Sequence, residues 1–406
     1  MKIKIAITLA ALGLAACLQP AHAQLVVPSD GSDGALTLGL SPTNVVIDLS
    51  QAVPGVWNAD NSANAGKGIY DSNKWAVVFK YSSVSIPAGV AVSFINHPTH
   101  APVVWLVQGN VAINGSVNLN GAAGTSSALQ ALTPAEPGPG GFRGGAYGPQ
   151  GTGSGLGPGG GSPGNSQNFG GAGEYSTSYG NPSVLPLIGG SGAGAYPAYP
   201  DGSAAGAAGG SLLVGAAGTV TIVGGVYAKG GSSPSFAGSG SGGAVRLIGS
   251  QILGSGEINC MGGSGYATGD AGRIRIESPV LAASLRTYPE TIAVPPATPP
   301  LIWPPDVAPK VRVVSVDTFA APADPTAPLV SSADVAIQND TPAVIMLETS
   351  NFPIEGIVQV RAAQKWGTAS WIRAYYVSGN QATAQWRATN TFVKGYTTLQ
   401  ARATAP

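Results

Sequence analysis

The chain has 406 residues, 60 of them Gly and 33 Pro, while charged residues make up only 9% and the formal net charge is zero. A soluble globular domain carries roughly a quarter charged residues, so an average enzyme is a poor match; a disordered chain needs low hydrophobicity and high net charge, and here 44% is hydrophobic. No basic excess exists to bind nucleic acid through counterion release, and the length fits two or three domains.

Residues 1–23 read as an export signal: Lys2 and Lys4 precede an apolar run from Ile5 to Ala16, and Ala21-His22-Ala23 offers a small-residue cleavage site. Leu14-Ala15-Ala16-Cys17 competes with it as a lipobox, in which case Cys17 carries a lipid and anchors the chain to a membrane as a lipoprotein. The run is too short to span a bilayer, which needs about 20 residues, and no later segment has one. Either reading makes the chain an exported one, secreted, periplasmic or on the cell surface. Either reading also leaves Cys260 as the one remaining thiol, and a lone thiol in an oxidising compartment is expected in a core.

Residues 24–288 carry the repeats. The first, from 44, contains Trp75-Ala-Val-Val-Phe79, Val84-Ser-Ile86, a Pro87-Ala-Gly89 turn and Val90-Ala-Val92-Ser-Phe94, with a Trp- and Asn-rich cap around Trp57 and Tyr70. Val111-Ala-Ile-Asn-Gly115-Ser-Val117-Asn-Leu119 then aligns without gaps on residues 220–228 and 252–260. Each copy follows another β-prone run (103–107, 212–214, 245–248), and Ile274-Arg-Ile276 repeats the last of these. Three short strands per coil, with Gly at the bends, define a stacked parallel β-helix, because one coil cannot bury its own apolar face. Period-2 alternation points Val117, Leu119, Val226, Ala228, Ile258 and Cys260 inward and Asn118, Tyr227 and Asn259 outward. Gly254 interrupts the column of Ile113 and Ile222, a departure the pattern does not explain.

An insertion at 121–210 holds 28 Gly and four charges in 90 residues and reads as low-complexity loops. Its aromatics are Phe142, Tyr147, Phe169, Tyr175, Tyr179, Tyr196 and Tyr199; they serve either as platforms for sugar rings or as anchors pinning the loops to the helix. Residues 289–309, with eight prolines, read as a semi-rigid linker. Residues 310–406 are Gly-poor and carry six alternating runs, which predicts a small Ig-like β-sandwich with Trp371 and Trp386 in its packing.

The runs Val84-Ser-Ile-Pro-Ala-Gly-Val90-Ala-Val92, the Val-x-Ile-x-Gly-x-Val-x-Leu coil and Gly-Gly-Ala-Val-Arg-Leu at 242–247 resemble secreted, Gly-rich bacterial proteins with right-handed parallel β-helices, of pectate-lyase-like and filamentous-haemagglutinin-like architecture. The resemblance covers residues 45–285 and implies architecture, not an active site.

The recognisable coils hold three acids, Glu257, Asp270 and Glu277, too few for the paired carboxylates of glycoside cleavage. The best charged group is Asp270 with Arg273, Arg275 and Arg246, where Arg246 and Arg275 fall on matching outward positions; it reads either as a site for an acidic sugar or as a neutralised, solvent-facing surface ladder. Candidate ligand contacts are therefore Arg246, Asp270, Arg273, Arg275, Phe142, Tyr147, Tyr175 and Tyr179. No catalytic residue, metal or cofactor is implied. His97-Pro-Thr-His100 lacks completing ligands, and Asp30-Gly-Ser-Asp33 and Asn58-Ala-Asp60 lack the Glu of a calcium loop and read as flexible polar segments. The expected function is a non-catalytic surface, matrix or adhesive component presenting Gly-rich loops; the alternative is a polysaccharide-binding or polysaccharide-degrading protein. Ice binding needs ranks of Thr or Ser, and Thr221 has no Thr at 112 or 253.

Overall fold

The computed structural model describes residues 25–126, 132–148, 151–165, 167–175, 179–197, 202–321, 335–338, 342–392 and 394–406. Residues 1–23, read from the sequence as an export signal, lie outside the described residues together with Cys17 and Tyr199. The fold is all-β, with two single-turn 3-10 segments.

In chain order the first part contributes β1 (Ala35–Thr37), β2 (Asn44–Asp48), β3 (Val53–Pro54), β4 (Ile69–Asp71), β5 (Ala76–Tyr81), β6 (Ser83–Ile86), β7 (Ala91–Ile95), β8 (Val103–Val107), β9 (Val111–Ile113) and β10 (Ser116–Asn118). A small hairpin follows, β11 (Tyr147–Gly148) with β12 (Gly151–Thr152). Then come β13 (Ser211–Ala216), β14 (Thr219–Ile222), β15 (Gly225–Tyr227), β16 (Ala244–Ile248), β17 (Gln251–Leu253), β18 (Glu257–Asn259), β19 (Arg273–Glu277), β20 (Arg286–Tyr288) and β21 (Ala293–Val294). These strands build three stacked sheets: β1-β6-β9-β14-β17, β2-β7-β10-β15-β18-β20, and β21-β19-β16-β13-β8-β5-β4-β3. From β5 to β10 and again from β13 to β18 the chain visits the third, first and second sheets in turn, and from β6 each strand of these sheets is parallel to its predecessor; after β19 in the third sheet it passes directly to β20 in the second.

The registers are those of the repeat: Val117 pairs with Val226 and that with Ile258, and Val111 with Val220 and that with Ile252. The expected inward residues, Cys260 included, are buried in one continuous core. Gly254 is explained by the backbone: its φ is +116°, and a Cβ there would sit 1.9 Å from the carbonyl oxygen of Ile222. At the N-terminal end β4 runs antiparallel to β5, which ends the parallel stack. The Asp30–Asp33 segment is fixed within this cap rather than flexible. Asp33 is buried and accepts from Asn61 Nδ2 (2.7 Å), Gly66 N (3.0 Å) and Lys80 N (2.7 Å), and Asp30 pairs with the buried Lys80 at 2.6 Å.

The third sheet is apolar on both faces, as its runs Val103–Val107 and Ala244–Ile248 are almost wholly hydrophobic, the pattern of a sheet covered on both sides. Its outer layer is Val27, Tyr175, Val184, Leu187 and Ile302. Residues 289–309 therefore lie along this sheet: β21 extends it, and Trp303 meets Trp57 at 5.6 Å.

The Gly-rich region is not a set of loops. Segment 204–211 donates its backbone N–H groups in a strict period of three. Ala204, Ala207 and Gly210 donate to Thr125, Ala122 and Leu119; Ala205, Ala208 and Ser211 to Gly145, Phe142 and Pro139; Gly206 and Gly209 to Gly238 and Ser241. Three residues per turn is the geometry of polyproline II, which has no internal hydrogen bonds, and here neighbouring segments supply the acceptors. The network runs through 136–146, 153–164, 170–175 and 188–196 and takes in the turns 228–243 and 260–272. Glycine is required by close approach: a Cβ on Gly206, Gly209 or Gly240 would lie 2.0–2.1 Å from the carbonyl oxygen of Gly231, Ala228 or Ala207.

The C-terminal part contains β22 (Lys310–Val316), β23 (Phe319–Ala320), β24 (Val335–Ile337), β25 (Pro342–Ser350), β26 (Ile357–Ala363), β27 (Ile372–Gly379), β28 (Thr383–Thr391) and β29 (Gly395–Thr404). All six expected runs are strands, but instead of a two-sheet sandwich they hydrogen-bond into one antiparallel sheet, β23-β22-β25-β28-β27-β26-β29-β24, rolled towards a barrel around Ile345, Leu347, Val358, Val360 and Trp386. Long neighbours such as β25 and β28, paired over nine positions, leave no break at which two sheets could separate.

Candidate functional site

The charged group expected on β16 and β19 is assembled but not solvent-facing. Arg246 and Arg275 are cross-strand neighbours, on the face covered by the layer containing Tyr175 and Ile302. Arg246 is 1% exposed and donates through Nε (3.0 Å) and Nη2 (2.8 Å) to Glu277 Oε1; Arg275 reaches the same oxygen at 3.2 Å. Burial lowers the Arg246 pKa and Glu277 opposes that shift. The reason for the burial is the apolar outer row in which Arg246 stands, between Ala244 and Ile248.

Asp270 accepts the backbone N–H of Tyr175 at 3.2 Å. Arg273 lies 5.9 Å over the Tyr175 ring and donates to Tyr179 O at 3.4 Å. Tyr175 and Tyr179 donate their hydroxyls to Ile188 O (2.9 Å) and Gly189 O (2.8 Å), and burial raises both phenol pKa values. These groups pin Tyr175 and residues 179–189 to the third sheet, the anchoring role.

Phe142 and Tyr147 are also half-buried. Phe142 faces Trp75 at 6.2 Å and lines, with Leu156 and Trp371, a cavity of about 260 Å³ against the C-terminal sheet. Tyr147 lies against Gly202, where a Cβ would be 2.0 Å from its ring. Across the same contact Arg361 is buried and donates to Gly155 O (2.8 Å), Gly157 O (2.9 Å) and Gln400 Oε1 (2.8 Å). Both Arg361 and Arg402 stack on the Trp371 ring, 4.8 and 4.3 Å from its centroid. Burial brings the Arg361 pKa down to about 9. Trp371 is thus a docking residue between the two parts, while Trp386 is core.

His97 and His100 form a turn, with His100 N donating to His97 O at 2.8 Å and a positive φ of 53°; burial brings the His100 pKa down to about 4. Among the described residues no three His, Cys, Asp or Glu side chains gather as a metal set, and no helix is long and apolar enough to cross a membrane.

The exposed chemistry lies elsewhere, at one end of the Gly-rich bundle. Phe169 is the hub of a four-ring cluster, with centroids 4.1 Å from Tyr266, 4.9 Å from Phe236 and 5.9 Å from Tyr196. Phe236 is 5.4 Å from both Tyr196 and Tyr266. Tyr266 is 62% exposed, and Phe169 and Phe236 are 41% exposed each. The backbone holds them in place: Gly170 N donates to Phe236 O (3.0 Å), Ser239 N to Ala267 O (2.9 Å), and Tyr196 and Ser203 exchange hydrogen bonds. Gly164 makes room for Tyr196, since a Cβ there would be 2.6 Å from its ring. Phe236 and Tyr266 lie outside the insertion, in the turns after β15 and β18; their signal in the sequence is that Ser232-Ser-Pro-Ser-Phe236 and Ser264-Gly-Tyr266 each set one ring among small residues.

No family model, curated protein or solved structure matches this chain.

Proposed function

We propose that the chain is an exported, non-catalytic adhesive or matrix component, wound as a parallel β-helix, that meets its target through the aromatic end of the Gly-rich bundle. The fixed order in which the chain visits three parallel sheets supports the winding. The single observation behind the adhesive reading is the exposed cluster of Phe169, Phe236 and Tyr266 on a hydrogen-bonded base. Large apolar side chains on a stable surface are a cost to solubility and mark interaction sites.

The polysaccharide-degrading alternative has little to act with. Of the three acids in the recognisable coils, Glu277 is occupied by Arg246 and Arg275, Asp270 accepts from Tyr175 and Glu257 is hydrogen-bonded to the Tyr227 phenol. Glycoside cleavage calls on two carboxyl groups flanking the bond. The test is adhesion: labelled protein on intact bacterial cells and on isolated extracellular matrix, compared with the Phe169→Ala, Tyr266→Ala double variant, beside an assay of reducing-sugar release from polysaccharides. Surface binding that depends on the two rings, without sugar release, is the expected result. Binding that ignores the rings, or release of sugar, sinks the proposal.

A further inference from the structure

We infer that the aromatic end of the bundle recognises uncharged sugar rings, so that the adhesive target is a neutral glycan; this rests on the adhesive reading above and specifies its ligand. The first argument is charge. The three segments that carry the exposed rings, 162–170, 232–238 and 263–268, contain no charged residue in the sequence, so none of their side chains would pair with a uronate, a phosphate or a charged protein patch.

The second argument is the combination of surfaces. A sugar ring offers an apolar face of C–H groups and a rim of hydroxyls, and its recognition needs an exposed π face beside neutral donors and acceptors. Tyr266 and Phe169 provide the former, 4.1 Å apart with their planes inclined at 51°, an angle that forms a shallow corner rather than a flat stack. Ser232 and Ser264 provide the latter. Their hydroxyls are exposed, 3.2 Å apart, on the same two turns as Phe236 and Tyr266. Asn165, Gln167 and Asn168 add exposed amides beside Phe169. A purely apolar partner would leave this polar rim unpaired, which costs affinity.

The third argument is preorganisation. Phe169, Phe236 and Tyr266 sit on segments tied by backbone hydrogen bonds at Gly170, Gly171 and Ser239, so little freedom remains to be lost when a ligand arrives. Tyr266 is the outermost ring and Phe169 the central one, which assigns them the stacking role; Tyr196, half-buried and enclosed by Gly164, positions the other rings.

The experiment uses the full chain on an array of immobilised neutral and uronate-containing oligosaccharides. Binding to neutral members, unchanged in 1 M NaCl because no ion pair is involved, is expected. Tyr266→Ala should weaken it by a factor on the order of ten, near the upper value of a single ring contact, with Tyr266→Phe close to the parent. As a readout that needs no variant, saturation transfer from irradiated aromatic protons should reach the C–H protons of a bound neutral oligosaccharide. Absence of neutral binding, binding confined to uronates, salt-sensitive binding, or neutral binding with no aromatic transfer each overturns the inference. The adhesive reading is separable: adhesion to cells that depends on the two rings yet survives periodate oxidation of the surface glycans would uphold adhesion and reject the glycan.

Discussion

The stacked sheets and the Gly-rich bundle solve the same problem by opposite means. Both must bury backbone away from water, and a buried N–H or carbonyl without a partner is costly. In the stack, strands pair in register and the space between sheets is filled by side chains, Val on Val and Ile on Ile, each fully buried residue of that size contributing about 1.5–3 kcal/mol. In the bundle there is little to fill. Segments with three-fold symmetry approach until backbone touches backbone, and the structure is held by hydrogen bonds sent in three directions. Removing atoms therefore damages the first region, and adding them damages the second.

The largest expected contrast concerns Cys260, which stands where the two regions meet: its side chain belongs to the apolar column and its carbonyl accepts from Gly272 at 2.7 Å. Burial raises the thiol pKa. A maleimide should label it rapidly in denaturant and essentially not at all in buffer; equal labelling in both would remove the register of β18.

Next in size is Arg246→Ala. The exposed position read from strand alternation would make this change nearly silent. The covered position makes it damaging, because the buried Glu277 loses its closest partner, and breaking a buried pair costs about 3–5 kcal/mol. Arg275 stays within 3.2 Å of the same carboxylate, which favours the lower end. Chemical denaturation read by tyrosine and tryptophan fluorescence measures it, and a loss below about 0.5 kcal/mol, the range of neutral surface changes, would show that the outer layer does not seal this sheet.

A pair of opposite substitutions then separates the two kinds of packing. Ile258→Ala empties part of the column in the stack and should cost about 3 kcal/mol, within the usual range for large-to-small core changes. Gly240→Ala adds one methyl group where a Cβ would meet Ala207 O at 2.0 Å; backbone must move, and the expected loss is about 2 kcal/mol. Ala207→Gly should cost less than either, about 1 kcal/mol, since it adds chain freedom and removes one buried methyl group. A stable Gly240→Ala protein would mean that the bundle is looser than its hydrogen bonds indicate.

The stack was legible in the sequence because its rules are local and periodic. Alternation places Val117, Val226 and Ile258 on one column, and their strands indeed pair there. Alternation failed for Arg246, since the outer face of its sheet is covered by a layer that includes Tyr175 and Ile302, 71 residues before and 56 residues after it; the apolar outer residues Val104, Leu213 and Ile248 were the signal that a cover exists. The bundle was misread as loops because no side-chain pattern marks it. Its trace is the spacing of glycines at three, as in Gly138, Gly141 and Gly144, or Gly206 and Gly209, or Gly240 and Gly243, a period that belongs to neither helix nor strand. The aromatic end could not be assembled from sequence, because Phe169, Phe236 and Tyr266 meet only after segments 30 to 97 residues apart are packed side by side.

The smallest expected effect tests the outer face of the first sheet. The register places Thr37, Ser85, Ala112, Thr221 and Leu253 in one row along that sheet, so hydroxyls are interrupted by a methyl group and ended by a leucine. A face that organises water or a crystal lattice needs an unbroken rank at the strand spacing of about 4.8 Å, and this row has none. Thr221→Val, which replaces the hydroxyl by a methyl of similar volume on a half-buried outward position, should therefore change stability by no more than about 0.5 kcal/mol and leave adhesion to cells unchanged. Loss of adhesion in Thr221→Val with the melting curve intact would move the contact surface from the aromatic end of the bundle to this sheet, and would make the backbone-packed region a support for the side-chain-packed one instead of the reverse.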